Sequence, residues 1–233
     1  MELLEDLVAA NRILVQQGVL DGYGHVSVRD NRRSDRFLMS RSLAPEMVTA
    51  ADILEYDLEG NAIDARGRES YQELFIHSAI YAARPDVQAV VHNHSPSVIP
   101  FGVSSVPLRP LYHMAGFLGA GIPIFDIRKY SGITNMLVND PQRARGLAEV
   151  LGNHTAVLMR GHGSAVVGPN ILAAVGRSVY LEMNARLLVQ AISLGGDITY
   201  LDPEEARQVL ATGENVGYRR PWEIWKKKAL QSL

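Results

Sequence analysis

No cysteine occurs in the 233 residues. That excludes a disulfide framework, a thiolate nucleophile and thiolate metal ligation, so any bound metal must be held by His, Asp or Glu. A basic excess is missing as well. The 23 Lys and Arg stand against 25 Asp and Glu, a formal charge of −2, whereas nucleic-acid binding normally shows itself as a clustered positive surplus. No apolar run reaches the roughly 18 residues that a membrane span needs. Glu2, Glu5 and Asp6 stand where a secretion signal would be basic and then apolar. These absences predict a cytoplasmic protein that binds neither nucleic acid nor membrane. There is no internal repeat, low-complexity linker or compositional break. One domain spanning 1–233 is therefore expected, ending in a tail from about residue 204.

Hydrophobic residues make up 47% of the chain, enough for a sizeable core, and their spacing alternates between helical and extended. Leu3, Leu4, Leu7, Val8, Ile13 and Leu14 predict an amphipathic helix from Glu2 to Gln17, stopped at Gly18. Three short segments, 25–29, 36–40 and 53–57, have strand character, and their short links predict antiparallel pairing. Ser70 with Glu73 three residues later has the form of a capping box, opening a helix that runs to Arg84-Pro85. A buried strand follows at 87–91, then a short helix starting at Ser95-Pro96. The Gly- and Pro-rich stretch 107–126 predicts a mixture of strand, helix and loop. Beyond it come a helix at 141–151, strands at 155–159 and 164–167, a long helix from 170 to about 194, and a helical tail with a basic, aromatic end.

The chemistry-bearing residues are mostly histidines. His92 and His94, at i and i+2 of an extended segment, point to one side, and they lie where a buried strand gives way to a helix. The spacing suits metal ligation, and it equally suits two hydrogen-bonded surface histidines. His162, between Gly161 and Gly163 after an apolar strand, sits where a tight turn lets a ligand approach closely. A third imidazole from there would complete a catalytic site with open coordination positions. Glu73 has three open readings: a helix cap, a proton donor or acceptor, or a fourth ligand. His77, one turn later, reads as orienting its neighbours, and His154 as a solvated turn residue. His25 and His113 lie in segments expected to face the site.

Gly24-x-x-Ser27-x-Arg29, Glu73 with His77, Arg84-Pro85 ahead of His92-Asn93-His94, and His162-Gly163 together resemble the class II aldolase/adducin family. The match runs in order from about Asn11 to Gly195. The resemblance implies a three-layer α/β/α sandwich around a central, mainly antiparallel sheet. It also implies a homotetramer with active sites between neighbouring subunits. One divalent metal per subunit would be held by His92, His94 and His162, with Glu73 in proton transfer or near the metal. Zinc or manganese suits such ligands best, with cobalt and iron also accepted. Sugar-phosphate members hold the phosphate with a Gly-Asn-x-Ser segment, a Thr-Pro-Ser/Thr-Gly loop and a Ser-Ser pair. Here those positions read Gly24-His25-Val26-Ser27, Ser40-Arg41-Ser42-Leu43 and Tyr71-Gln72. Bulkier groups and a guanidinium replace the small hydroxyl cradle, which predicts a substrate without phosphate. His25, Ser27, Ser40 and Arg41 become the candidate substrate-binding residues, with the Arg41 fork suited to a planar carboxylate.

Tyr112-His113 stands in reversed order for the family tyrosine, and both are candidate catalytic residues beside Glu73. With Gly22-Tyr-Gly-His-Val-Ser27 and Pro107-Leu-Arg-Pro110, this resembles the branch containing the hydroxy-methylpyridine-dicarboxylate and dihydroxyphthalate decarboxylases. The expected partner is then a small-molecule carboxylate, decarboxylated through a stabilised enolate, with Phe117 and Tyr112 as candidates to stack on a ring. The tail from Tyr218 to Arg220 is expected to approach a neighbour's metal site. Two alternatives stand beside this: an aldolase, epimerase or dehydratase for a small hydroxy-oxo compound or sugar phosphate, and a non-catalytic adducin-like module. A zinc peptidase is disfavoured, because no His-Glu-x-x-His occurs.

Overall fold

The structure, a computed structural model, describes residues 2–119 and 121–231. In chain order they form α1 (Glu2–Gln16), β1 (His25–Arg29), β2 (Arg36–Ser40), β3 (Ile53–Asp57), α2 (Leu74–Ala83) and β4 (Ala89–Asn93). There follow β5 (Ile124–Phe125), α3 (Arg128–Ser131), α4 (Pro141–Leu151), β6 (Ala156–Met159), β7 (Gly163–Gly168), α5 (Ile171–Leu194), α6 (Pro203–Ala211) and α7 (Glu214–Gln231). The seven strands make one sheet in the order β3-β2-β1-β4-β7-β6-β5, and only the β5–β6 pair is parallel. Asp140 and Asn170 start α4 and α5 as N-caps, accepting from the backbone N–H of Arg143 and Ala173.

Strand parity decides what each side chain meets. Ala89 and Val91 of β4, with Val26 and Val28 of β1, join the core under α1, α5 and α7. Val90, with Val157, Ala165 and Val167 of the neighbouring strands, joins the core under α2 and α4. Every residue of β1, β4 and β7 is buried, because helices cover both faces. The result is a three-layer α/β/α arrangement, and the same parity sends His25, Ser27 and His92 to the α2 side.

Four sequence expectations change. No capping box opens α2: Glu73 is itself the N-cap residue, with no side-chain cap bond, and Ser70 Oγ instead accepts from the Tyr56 hydroxyl. Strand β4 runs to Asn93, so His92 lies within the strand and His94 just past its end. No α-helix begins at Ser95-Pro96; a 3-10 turn forms later, at Ile99–Gly102. Within the tail, Tyr218 faces its own chain, while Arg219 and Arg220 are exposed. Tyr218 is buried, its ring stacked on Tyr180 of α5 at 5.5 Å, against Gly176, where an added Cβ would sit 2.6 Å from the ring. Helix α7 is tied to α1 as well, through Lys226 and the carboxylates of Glu5 and Asp6.

Candidate metal centre

Three elements bring Glu73, His92, His94 and His162 together, and one ligand atom from each lies within 4.8 Å of the others. His92 and His94 arrive by the parity of β4. His162 arrives on the turn from β6 to β7, which can press against the end of β4 only because residue 163 is glycine. A Cβ there would lie 1.9 Å from the Asn93 carbonyl oxygen. Glu73 comes from the foot of α2.

The hydrogen bonds around these groups fix which atoms face inward. His92 Nδ1 donates to the Ser164 carbonyl at 3.1 Å, and His162 Nδ1 donates to the Met136 carbonyl at 3.1 Å. With Nδ1 engaged in this way, Nε2 is the ring nitrogen that each histidine turns toward the cluster. Glu73 Oε1 accepts the Val138 N–H at 2.8 Å, leaving Oε2 at 3.4 Å from His92 Nε2 and 3.5 Å from His162 Nε2. His94 Nε2 lies 3.0 Å from His162 Nε2. His92 Nε2 is fully buried and makes no well-formed hydrogen bond, Glu73 Oε2 lying 3.4 Å away, a costly state for a polar atom. A cation bound by three imidazoles and one carboxylate would satisfy it, and that donor set suits a borderline divalent metal. Electrostatics agree with that fit. Burial alone would push Glu73 up, but hydrogen bonds and charge from His162 and His92 hold it far below the usual carboxylate range. Burial and the neighbouring His92 and His162 push His94 down to about 4.

A second chain of polar groups runs behind the cluster. His25 Nδ1 lies 2.6 Å from His77 Nε2, His77 Nδ1 lies 2.6 Å from Ser27 Oγ, and Ser27 Oγ lies 2.8 Å from the Tyr81 hydroxyl. The His25 ring is 5.0 Å from that of His92. On the far side, buried Glu182 of α5 accepts from Ser95 Oγ at 2.7 Å, the Ser97 N–H at 3.0 Å and Ser97 Oγ at 2.5 Å. It thereby pins the turn that follows His94.

Over the cluster opens a cavity of about 420 Å³, whose walls include Tyr23, His25, Tyr71, Glu73, His94 and Leu137. Of the residues expected to bind substrate, His25 is in this wall and three are not. Ser27 is fully buried and engaged by His77 and Tyr81. Ser40 is fully buried and bonded to the Tyr71 hydroxyl at 3.1 Å. Arg41 turns its guanidinium to Asp52, 2.7 Å away. Tyr112 and His113 stand where a 3-10 turn at His113–Leu118 packs against α5 and α6, away from the cavity walls. Phe117, expected to stack on a ring, is buried in the core under α1 and α5.

Tyr23, Tyr71 and Leu137 were not among the sequence candidates. Tyr71 stood out in the sequence only as a departure beside Glu73. Leu137 gave no signal, since its loop has no periodic pattern.

Residues 5–189 match the model of the family described as Class II Aldolase and Adducin N-terminal domain. The chain is 35% identical to Decarboxylase tropJ of Talaromyces stipitatus, over 95% of this chain and 91% of that protein. It is 28% identical to the 3,4-dihydroxyphthalate decarboxylase of Arthrobacter keyseri, over 94% of this chain and 90% of that one. Among solved structures, the L-fuculose 1-phosphate aldolase from Glaciozyma antarctica superimposes with a TM-score of 0.79 at 25% identity, covering 98% of this chain and 88% of that one.

Proposed function

Since the chain belongs to the class II aldolase and adducin family, we propose that it is a metal-dependent decarboxylase of a hydroxylated aromatic or pyridine carboxylate. The observation that carries the reading is the convergence of Glu73, His92, His94 and His162 beside a cavity that Glu73 and His94 line together with the rings of Tyr23, His25 and Tyr71. A divalent cation held there supplies stabilisation of the negative charge that develops on oxygen as the carbon–carbon bond breaks. The rest falls to the chain's own groups. Tyr71 and His25, with ring centroids 4.6 Å apart, confine the substrate ring beside the cluster. The bond to the carboxylate breaks, its electron pair stays with the ring, and carbon dioxide leaves. A proton must then reach the ring carbon. Glu73, an ionised carboxylate, has no proton of its own, so the proton comes from water; Oε2 is the group assigned to take it up and pass it to the ring carbon, because the Val138 N–H holds Oε1 and leaves Oε2 facing the cluster.

Zinc or manganese is the proposed metal. The proposed working unit is the whole chain as one domain, assembled into a cytoplasmic homotetramer with its sites near subunit interfaces. Tyr23, Val103 and Ile133, apolar side chains exposed on loops around the site, support an interface there. No described helix is long and apolar enough to cross a membrane.

The test is to incubate zinc- or manganese-loaded protein with a panel of hydroxylated benzene and pyridine carboxylates and of sugar phosphates, measuring carbon dioxide and aldehyde. Carbon dioxide from an aromatic acid is expected. Aldehyde from a sugar phosphate without carbon dioxide from any acid would replace this reading by the aldolase one.

A further inference from the structure

We propose that Tyr71 is the residue that sets the substrate class, a fixed aromatic wall that selects a flat ring and gives no hold to a phosphate ester. The inference rests on the decarboxylase reading for the reaction, but on different atoms. Tyr71 lies in the turn before α2, two residues from Glu73. Its hydroxyl donates to the Leu43 carbonyl at 2.5 Å and accepts from Ser40 Oγ at 3.1 Å. The ring is therefore clamped at its far end, and swinging it out of the cavity would break two hydrogen bonds at once. Its face lies against His25, which is held in turn by His77. Two planar side chains, each fixed from behind, thus form one wall, while Leu137 lies elsewhere in the lining.

The same clamp removes polar groups from the cavity. Ser40 and the Leu43 carbonyl are spent on Tyr71, and Arg41 of the same loop is paired with Asp52. Among the described residues lining the cavity there is no Lys or Arg, and the one carboxylate is Glu73. A phosphate dianion entering here would find no guanidinium or ammonium group on the wall, and only the cation held by the cluster would offset its desolvation. A flat acid loses less. It brings a single negative charge in place of two, and its ring gains contact with a π-face.

The experiment measures binding, by calorimetry on zinc-loaded protein, of 2,3-dihydroxybenzoate as a flat probe and of cyclohexanecarboxylate as a non-planar one. The wild type and Tyr71→Leu and Tyr71→Phe variants are compared, with metal content and melting temperature recorded for each. Tyr71→Leu is expected to weaken the flat acid about tenfold, the scale of one aromatic stacking contact, and to leave the non-planar acid within about twofold. Tyr71→Phe, which keeps the ring, should stay within about threefold on both. Inorganic phosphate at millimolar concentration should not displace the flat probe from wild type. Equal binding of the flat acid by wild type and Tyr71→Leu, equal losses on both acids, or displacement by phosphate would each overturn the assignment. Should Tyr71→Leu fail to fold, Tyr71→Met poses the same question with similar volume and no flat face. Carbon dioxide release, followed in parallel, separates the two readings. Tyr71-dependent binding without any carbon dioxide sinks the decarboxylase and leaves Tyr71 standing, whereas decarboxylation with an unchanged KM in Tyr71→Leu does the reverse.

Discussion

Glu73 shows how a local pattern misleads at the scale of a single residue. Ser-x-x-Glu before an apolar run is the signature of a capping box, yet both partners are taken by groups distant in sequence. Ser70 goes to Tyr56, and Glu73 to Val138 and two histidines. The three histidines, by contrast, were legible, because two lie at a spacing that strand geometry maps onto one face and the third is flanked by glycines. Arg41 has a partner that no local pattern reveals, since Asp52, eleven residues on, lies 2.7 Å from its guanidinium. With no cap to lose, Glu73→Gln tests chemistry alone. The amide oxygen can still accept the Val138 N–H, so the melting temperature of the metal-free protein should move by no more than about 2 °C, less than the shift that 1 kcal/mol produces. Turnover should fall by roughly 10² to 10⁴ if the carboxylate transfers the proton. Metal content measured on the same samples distinguishes this from a ligand role, because only a ligand's loss lowers both.

Pairs of elements act together where side chains cross between them. Strand β1 and helix α2 meet through Ser27, His77 and Tyr81, a contact that no periodicity reveals because all three residues sit at ordinary core positions. Burial, helped by the charge of His92 and opposed by that of Glu73, pushes His77 from the ordinary 6.5 down to about 3. The folded chain therefore holds this imidazole neutral where the unfolded chain protonates it. The stability it contributes is fully present above about pH 6.5 and is lost progressively as pH falls toward about 3. Urea denaturation of chelator-treated protein should show the midpoint falling below pH 6.5, and His77→Gln should flatten that fall. A His77→Gln profile parallel to wild type would assign the acid sensitivity to other groups. Glu182 joins α5 to the turn after β4 in the same manner, across 85 or more residues. Glu182→Ala strands the Ser95 and Ser97 donors and loosens His94. Metal affinity should drop about 10- to 100-fold, as for other supporting partners of metal ligands, with the fold retained by circular dichroism. Glu182→Gln, which can still accept, should recover most of the loss.

Across the whole molecule, the alternation of helix and strand was readable almost throughout, because one sheet buried on both faces needs apolar strands and amphipathic covers. The seating of the tail was not. Tyr218, Trp222 and Ala229 pack beneath α1 and α5, and a basic, aromatic segment looks the same in sequence whether it docks on its own chain or on another. This architecture also determines what metal removal does. The cluster hangs from β4 and the β6–β7 turn, whose backbone pairing and flanking cores are complete without it, and His92 and His162 keep their Nδ1 bonds to carbonyls. Chelation should therefore not unfold the protein, unlike small domains whose folding energy is the metal's own. It should remove a binding contribution of about 2.7 kcal/mol at a hundredfold excess of metal over Kd, which for a chain of this size is a drop in Tm of roughly 5 to 10 °C. The transition should remain cooperative and the far-ultraviolet circular dichroism unchanged. Restoring zinc or manganese should return the wild-type Tm, while the His92→Ala variant should melt at the chelated value with or without added metal. A chelated chain that loses its secondary structure, or a Tm indifferent to metal in the wild type, would refute a cation site on a preformed scaffold.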